Sequence, residues 1–374
     1  MYIYVGNKNL FGEGGISIFH YSEKDGAVTF IATQYTEVSA GFLVVDAEKE
    51  YLFCVNERLE CKDIPGGQLL SFKIDSKSGK LILLSSVPTH TVLPCYIHYI
   101  PESGQLLVCN HAKRDWVLQT VVTPDGFVES RKIYDDAVLE VFFVTSEGEI
   151  VGPTTCWKAP LPDDAKDNPH LHSITYDPRS KKSFVCDTGT DRIYVFDHKS
   201  NGNLELIEVV NLNDEACAPR YGVLHPSIPY VYFNSEKRWT LYGLRVSDRG
   251  IFQLQVVNIP ICNDILQDTS EQSAIIINHD GTILYTLIRK NQSIAVFSIG
   301  NDGTLRFIQS YFIGFESPRA MEITSDDRFL FVACSKGKKI IQVEIAHNGK
   351  LGNQKIVEAS LVSPSSMALF VPNV

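Results

Sequence analysis

The chain has 374 residues, of which 44% are hydrophobic and 21% charged, a balance that supports a packed core and excludes a disordered or fibrous protein. Its formal charge of -10 argues against nucleic acid as a partner, because binding to phosphates draws on a surplus of Lys and Arg. No run reaches the ~20 apolar residues of a membrane span, and Met1-Tyr-Ile-Tyr-Val-Gly lacks the basic and apolar regions of a secretory signal, so the expectation is a cytoplasmic protein with no membrane partner.

In chain order, the first element is the short apolar run Met1-Tyr-Ile-Tyr-Val5. Tyr51-Leu-Phe-Cys-Val55 follows, then Gln68-Leu-Leu-Ser-Phe-Lys-Ile74 and a turn at Gly79. The same succession returns at Ser183-Phe-Val-Cys-Asp187, Arg192-Ile-Tyr-Val-Phe196 and Gly202. It returns again at Thr282-Ile-Leu-Tyr-Thr-Leu287, Ser293-Ile-Ala-Val-Phe-Ser-Ile299 and Asn301-Asp-Gly303. The last copy is Asp327-Arg-Phe-Leu-Phe-Val-Ala-Cys334, Lys339-Ile-Ile-Gln-Val-Glu-Ile345 and His347-Asn-Gly349. Short apolar runs alternating with polar residues between Gly and Asn turns predict strands joined in hairpins, and their recurrence predicts one unit repeated along the chain. Nine cysteines are an odd number without CxxC spacing, and Cys54, Cys109, Cys186 and Cys334 fall inside these runs, as small buried hydrophobes do.

Taking Gly26, Gly79, Gly126, Gly202, Gly250, Gly303 and Gly349 as the repeating turn, the steps are 53, 47, 76, 48, 53 and 46. Five of the six steps lie near 50, which fits a four-stranded blade with its loops, and seven such turns fit an all-β, seven-bladed β-propeller occupying residues 1–374 as a single domain; a pair of β-sandwich domains is the competing arrangement. The long step places an insertion of roughly 25 residues after Gly126, containing Ala159-Pro-Leu-Pro-Asp-Asp164, and a rim loop or lid is expected there. Ser365-Ser-Met-Ala-Leu-Phe-Val371 matches Pro318-Arg-Ala-Met-Glu-Ile323, which opens the previous unit, while Met1–Val5 matches a second strand. The C-terminal strand is therefore expected to complete the N-terminal blade and close the ring.

Several segments carry a resemblance in register: Val55-Asn-Glu57, Leu93-Pro-Cys-Tyr96, His170-Leu-His-Ser173, Cys186-Asp-Thr-Gly-Thr-Asp-Arg192, Ala218-Pro-Arg-Tyr221, Asn234-Ser-Glu236 and Leu284-Tyr-Thr-Leu-Ile-Arg289. Together they resemble the propeller lactonases related to bacterial 6-phosphogluconolactonase and fungal carboxymuconate cycloisomerase. The resemblance spans nearly the whole chain, and the ordered set His172, Arg220, Glu236 and Arg289 is its most specific part. It implies a catalytic group of those four residues at the mouth of the central channel, and a small anionic lactone or sugar acid as the ligand, for which His170 and Arg319 are candidate binding residues. Lys113 and Arg114, in a segment that departs from the family, are either further binding residues or solvated loop residues. Two departures stand out: Ala274 occupies a position where the family often carries Glu, and His111-Ala-Lys-Arg-Asp115 replaces a Gly-rich turn.

Opening a lactone requires an activated water, a polarised carbonyl and protonation of the leaving ring oxygen. In this set Glu236 or His172 serves as general base, and Arg220 and Arg289 hold the oxyanion and the acidic group of the substrate. The sequence leaves the choice between Glu236 and His172 open, and it leaves open an Arg220–Glu236 ion pair that only fixes neighbouring blades and an Arg289 that is only a solvated turn. His170 and His172 have strand spacing that suits a metal, but no third ligand accompanies them, so neither metal nor cofactor is expected. A Walker loop and a GxSxG elbow are both absent. The alternatives to lactone hydrolysis are a carboxymuconate-type cycloisomerase and a non-catalytic propeller that binds a protein on its rim.

Overall fold

The structure is a computed structural model that describes residues 1–61, 64–162, 165, 167–199, 203–212, 216–247, 250–260, 270–358 and 360–372, the side chains of 252–254 excepted. Among these, every regular element is a β-strand. Seven four-stranded antiparallel sheets follow one another along the chain. Blade two, for example, is built from Ala40–Asp46, Tyr51–Asn56, Gln68–Ile74 and Leu81–Pro88, in that spatial order. The first strand of each blade packs on the first strand of the next, and the succession returns to its start, so the inner strands form a closed ring around an axis.

Burial explains the sequence pattern. The second strands, such as Tyr51–Asn56, Gln105–Asn110, Tyr230–Ser235 and Ile283–Ile288, are buried at every residue because both faces of the sheet are covered by neighbouring blades, and such strands read as continuous apolar runs. The outer strands, such as Leu81–Pro88, alternate and expose one face.

The recurring turn glycine has a packing role as well as a conformational one. Gly79 has φ +72°, and a Cβ there would stand 2.4 Å from the Tyr2 ring of blade one. Gly303 has φ +81° and would meet the Tyr230 ring of blade five at 2.5 Å. Only glycine satisfies both demands. Tyrosine hydroxyls of second strands then donate across the interface to these turns, Tyr4 to Gly79 O at 2.8 Å, Tyr232 to Gly303 O at 2.8 Å and Tyr285 to Gly349 O at 2.9 Å, so the repeat is stitched blade to blade.

Gly126 does not belong to this series. It lies at the tip of an extra hairpin, Trp116–Val122 with Val128–Tyr134, inserted between the second and third strands of blade three, and a Cβ there would meet nothing within 4 Å. The true counterpart is Gly148, where a Cβ would stand 2.7 Å from the Tyr51 ring. The insertion therefore precedes the blade's outer turn instead of following Gly126. Both glycines have positive φ in polar turns, which is why their sequences look alike. Gly202 and the stretch Asp163-Asp164 lie outside the described residues.

The ends meet as expected. Pro364–Phe370 is the inner strand of blade one, paired antiparallel with Tyr2–Asn7, which is followed outward by Gly15–Tyr21 and Val28–Gln34.

Candidate active site

A β-bulge recurs at the same point of all seven inner strands. The ladder to the second strand slips between Ala40 and Phe42, Pro94 and Tyr96, Leu171 and Ser173, Pro219 and Gly222, Gln272 and Ile275, Pro318 and Ala320, and around Ser365. A bulge leaves one residue outside the ladder and re-aims its side chain. Five of the residues so released, Gly41, Cys95, His172, Arg220 and Arg319, line one cavity of about 290 Å³ at the channel mouth. The residue that follows each second strand adds an outer ring, from which Lys8, Glu57, His111 and Glu236 line the same cavity. Arg289 and Ser335 hold the equivalent positions in the last two blades and line an adjoining cleft of about 790 Å³, which shares Lys8, Leu10 and Arg319 with the first.

The four predicted catalytic residues are brought together. His172, Arg220 and Glu236 line the cavity, and Arg289 Nη2 donates to Glu236 Oε1 at 2.5 Å while its Nε donates to the carbonyl of Glu271 at 2.9 Å. The Arg289 side chain is 14% exposed, so it is not a solvated turn residue. Arg220 is 1% exposed, its Nε 3.8 Å from Glu236 Oε1 and its guanidinium 4.5 Å from the centre of the Tyr221 ring. Two of its buried nitrogens, Nε and Nη1, have no hydrogen-bond partner among the described residues. Burial works against the Glu236 charge, but Arg220 and Arg289 outweigh it and hold the carboxyl down at about 2. Burial and the adjacent Arg220 lower Arg289 to about 10, which leaves it protonated at neutral pH.

Three histidines cluster beside this group, and two of them, His111 and His172, line the cavity. His170 Nδ1 donates to the carbonyl of His111 at 2.9 Å, and His111 Nδ1 donates to that of Ala112 at 3.0 Å. The two rings stack with centroids 4.6 Å apart, and His172 meets His111 edge-on at 5.7 Å and Tyr221 edge-on at 5.1 Å. Burial, reinforced by His170, pushes His111 down to about 3. Burial, reinforced by Arg220, pushes His172 well below the usual imidazole range, and burial also lowers His170. All three are therefore neutral near pH 7, and His172 Nδ1 has no hydrogen-bond partner.

Among the candidate binding residues, Arg114 and Arg319 line the cavity. Arg114 Nη1 also lies 3.4 Å from Asp167 Oδ2. Two others stand elsewhere. His170 is fully buried behind His111 and supports that ring. Lys113 pairs with Asp135 at 3.4 Å and is not on the cavity wall; Ala112, at φ +68°, reverses the chain between His111 and Lys113. Among the described residues, no group of three or more His, Cys, Asp and Glu side chains is placed to hold a metal. Ala274 lies beyond the mouth in a cavity of about 150 Å³ in the channel, shared with Glu322, whose carboxyl burial raises to about 8.

Lys8, Glu57, Cys95 and Tyr221 on the cavity wall carried no role in the sequence reading. Glu57 stood in the quoted Val-Asn-Glu segment, and aligning the residue after each second strand would have placed it beside Glu236. Glu57 is bound to Lys8 and sits over Gly41, where a Cβ would stand 2.4 Å from Glu57 Oε2.

With that geometry in view, similarity to known proteins is informative. A family model described as Lactonase, 7-bladed beta-propeller matches residues 2–368. The 6-phosphogluconolactonase of Formosa agariphila is 24% identical over 367 residues, covering 95% of each chain, and that of Bacillus subtilis is 24% identical over 292 residues, covering 76% of this chain and 75% of its own. The periplasmic gluconolactonase of Pseudomonas aeruginosa superposes with a TM-score of 0.82 at 20% identity, covering 98% of both chains. An inner ring of bulged residues in a closed set of seven blades, matched by the family model over nearly the whole length, places the chain in the lactonase family of seven-bladed β-propellers.

Proposed function

We propose that this chain hydrolyses a small sugar-acid lactone of the 6-phosphogluconolactone kind, by acid–base catalysis at the channel mouth and without a metal ion. The observation that carries the reading is Arg220, a buried guanidinium with two unpartnered nitrogens at the cavity wall. A buried donor left unsatisfied costs ~1–3 kcal/mol, and an anionic oxygen is the group that would satisfy it. The names of the relatives, 6-phosphogluconolactonase and gluconolactonase, point to the same substrate class.

In this mechanism Arg220 receives the carbonyl oxygen as it becomes an oxyanion, and Arg319 faces the substrate's acidic group. Glu236 is held charged at about 2 between two arginines, and its engagement by both suits it to fixing the guanidiniums. His172 is neutral with a free ring nitrogen, so it is the group that takes the proton from the attacking water. The new C–O bond forms from water, the bond from the acyl carbon to the ring oxygen breaks, and the proton on His172 passes to that oxygen.

The test offers the purified protein aldonolactones with and without phosphate, alongside carboxymuconates, and follows acid release after subtracting spontaneous hydrolysis. Rapid turnover of an anionic aldonolactone that survives chelation and dialysis is expected. Turnover of muconates alone, or loss of activity on chelation with recovery on adding zinc or manganese, would overturn the reading.

A further inference from the structure

The hairpin inserted in blade three is poorly accommodated as a solitary element. Its two strands pair only with each other, and Val117, Leu118, Val122, Phe127 and Val128 are each more than three-fifths exposed. A two-stranded ribbon is marginally stable alone in water, and a free edge with apolar side chains is a template for another strand. We infer that a second copy of this chain pairs with the Val128–Tyr134 edge, giving a two-fold dimer with a four-stranded sheet at its centre.

The register follows from the hairpin itself. Thr123 N donates to Phe127 O at the hairpin end, so by antiparallel alternation Val128, Ser130 and Lys132 turn their N–H and C=O groups outward. A two-fold axis perpendicular to the sheet keeps each side chain on its face, so the axis must pass through a residue. Through Arg131 it would oppose two guanidiniums. Through Ser130 it sets Glu129 against the partner's Arg131, twice, at the close non-hydrogen-bonded positions where opposite charges stabilise a pair, so that the in-chain Arg131–Glu129 contact at 3.1 Å is exchanged for two across the interface.

The same axis places Phe127 opposite the partner's Ile133. A groove of about 580 Å³ there is lined by Ile133, Tyr134, Leu161 and Pro169 together with charged residues such as Asp135 and Lys158. Phe127 is 70% exposed, and the apolar part of this groove is the recess the register offers it. Charge complementarity, outward backbone groups and the recess thus agree on one arrangement.

Sedimentation analysis of the intact protein tests the inference. The wild type should sediment with twice the 41.8 kDa of the chain. E129R and R131E should each raise the dimer dissociation constant by about tenfold or more, because like charges then stand directly opposite. An equimolar mixture of the two should dimerise again, since each chain then offers the charge the other lacks. F127S should weaken association, and unchanged melting temperatures would show that the exposed substitutions leave the fold intact. A wild type that stays monomeric, a dimer indifferent to all three substitutions, or a mixture no more associated than its components would overturn the inference.

Discussion

Replacing Arg289 by alanine removes the donor that holds Glu236 Oε1 at 2.5 Å and leaves the carboxylate with Arg220 at 3.8 Å. Glu236 in turn fixes Arg220, the oxyanion donor; losing such a donor outright costs roughly a hundredfold to a thousandfold in turnover, so releasing Glu236 should lower kcat by up to about a hundredfold. Breaking a fully buried pair costs ~3–5 kcal/mol; these side chains are 14% and 21% exposed, so the stability loss should stay at or below the bottom of that range. The pH profile supplies a second signature. In the wild type Glu236 is held at about 2 and stays charged throughout the working range. Without Arg289, burial is opposed chiefly by Arg220 and the carboxyl rises, so kcat/KM should acquire an acid limb that Glu236 does not give the wild type. Arg289→Lys keeps the charge but not the planar fork, so it should remove the acid limb and recover turnover only in part. Arg306, exposed on the outer strand of blade six, is the control; Arg249, beside the Gly250 turn, lies outside the described residues. Initial rates on the preferred lactone from pH 4 to 8 check all of this. Equal losses at Arg289 and Arg306, or an Arg289→Ala profile superimposable on the wild type, would refute the reasoning.

Removing residues 364–374 should cost at least ~5 kcal/mol, since it exposes the Tyr2–Asn7 edge and deletes buried Met367, Ala368 and Phe370; an unchanged thermal melt would contradict strand closure. The folded protein keeps His111, His170 and His172 neutral, while the unfolded chain protonates them below about pH 6.5. Stability should therefore fall as pH drops through that value, by up to ~1.4 kcal/mol per pH unit for each imidazole, and denaturant titrations of wild type and His111→Gln at pH 7.5 and 5.5 measure the share of one ring. Gly41→Ala should push Glu57 out of place, because the new Cβ would stand 2.4 Å from its Oε2; turnover should drop several-fold with little change in melting temperature, and unaltered kinetics would remove Glu57 from the site.

The ring was legible in the sequence because the blades repeat a buried second strand and a turn glycine, and both have physical causes: burial on two faces and, at Gly26, Gly79, Gly148, Gly303 and Gly349, an apolar side chain of the neighbouring blade against the glycine. The misplaced Gly126 shows where that signal fails, since a solvent-exposed hairpin tip and a blade turn demand the same backbone and differ only in what packs on them. His172, Arg220, Glu236 and Arg289 came from the resemblance to the propeller lactonases, supported by their matched points on neighbouring repeats. Lys113 was not separable from Arg114 in sequence, because adjacent charged loop residues part ways only when the left-handed Ala112 is known. His170 read as a binding residue because strand spacing put it on the same side as His172, whereas the bulge at His172 breaks that alternation.

The bulge at the head of each inner strand also bears on how such a mouth changes over time. A residue outside the ladder has no cross-strand partner to match, so its identity is uncoupled from the pairing that holds the blade. Seven such positions, one per blade, amount to a palette that mutation can rewrite while the core stays constant. Glycine, cysteine, histidine, arginine and serine already occupy it here at Gly41, Cys95, His172, Arg220, Arg319 and Ser365. Engineering toward a new lactone should begin at Cys95 and Ser365, whose small side chains can be exchanged with the arginines left in place; Gly41 is closed to it by Glu57.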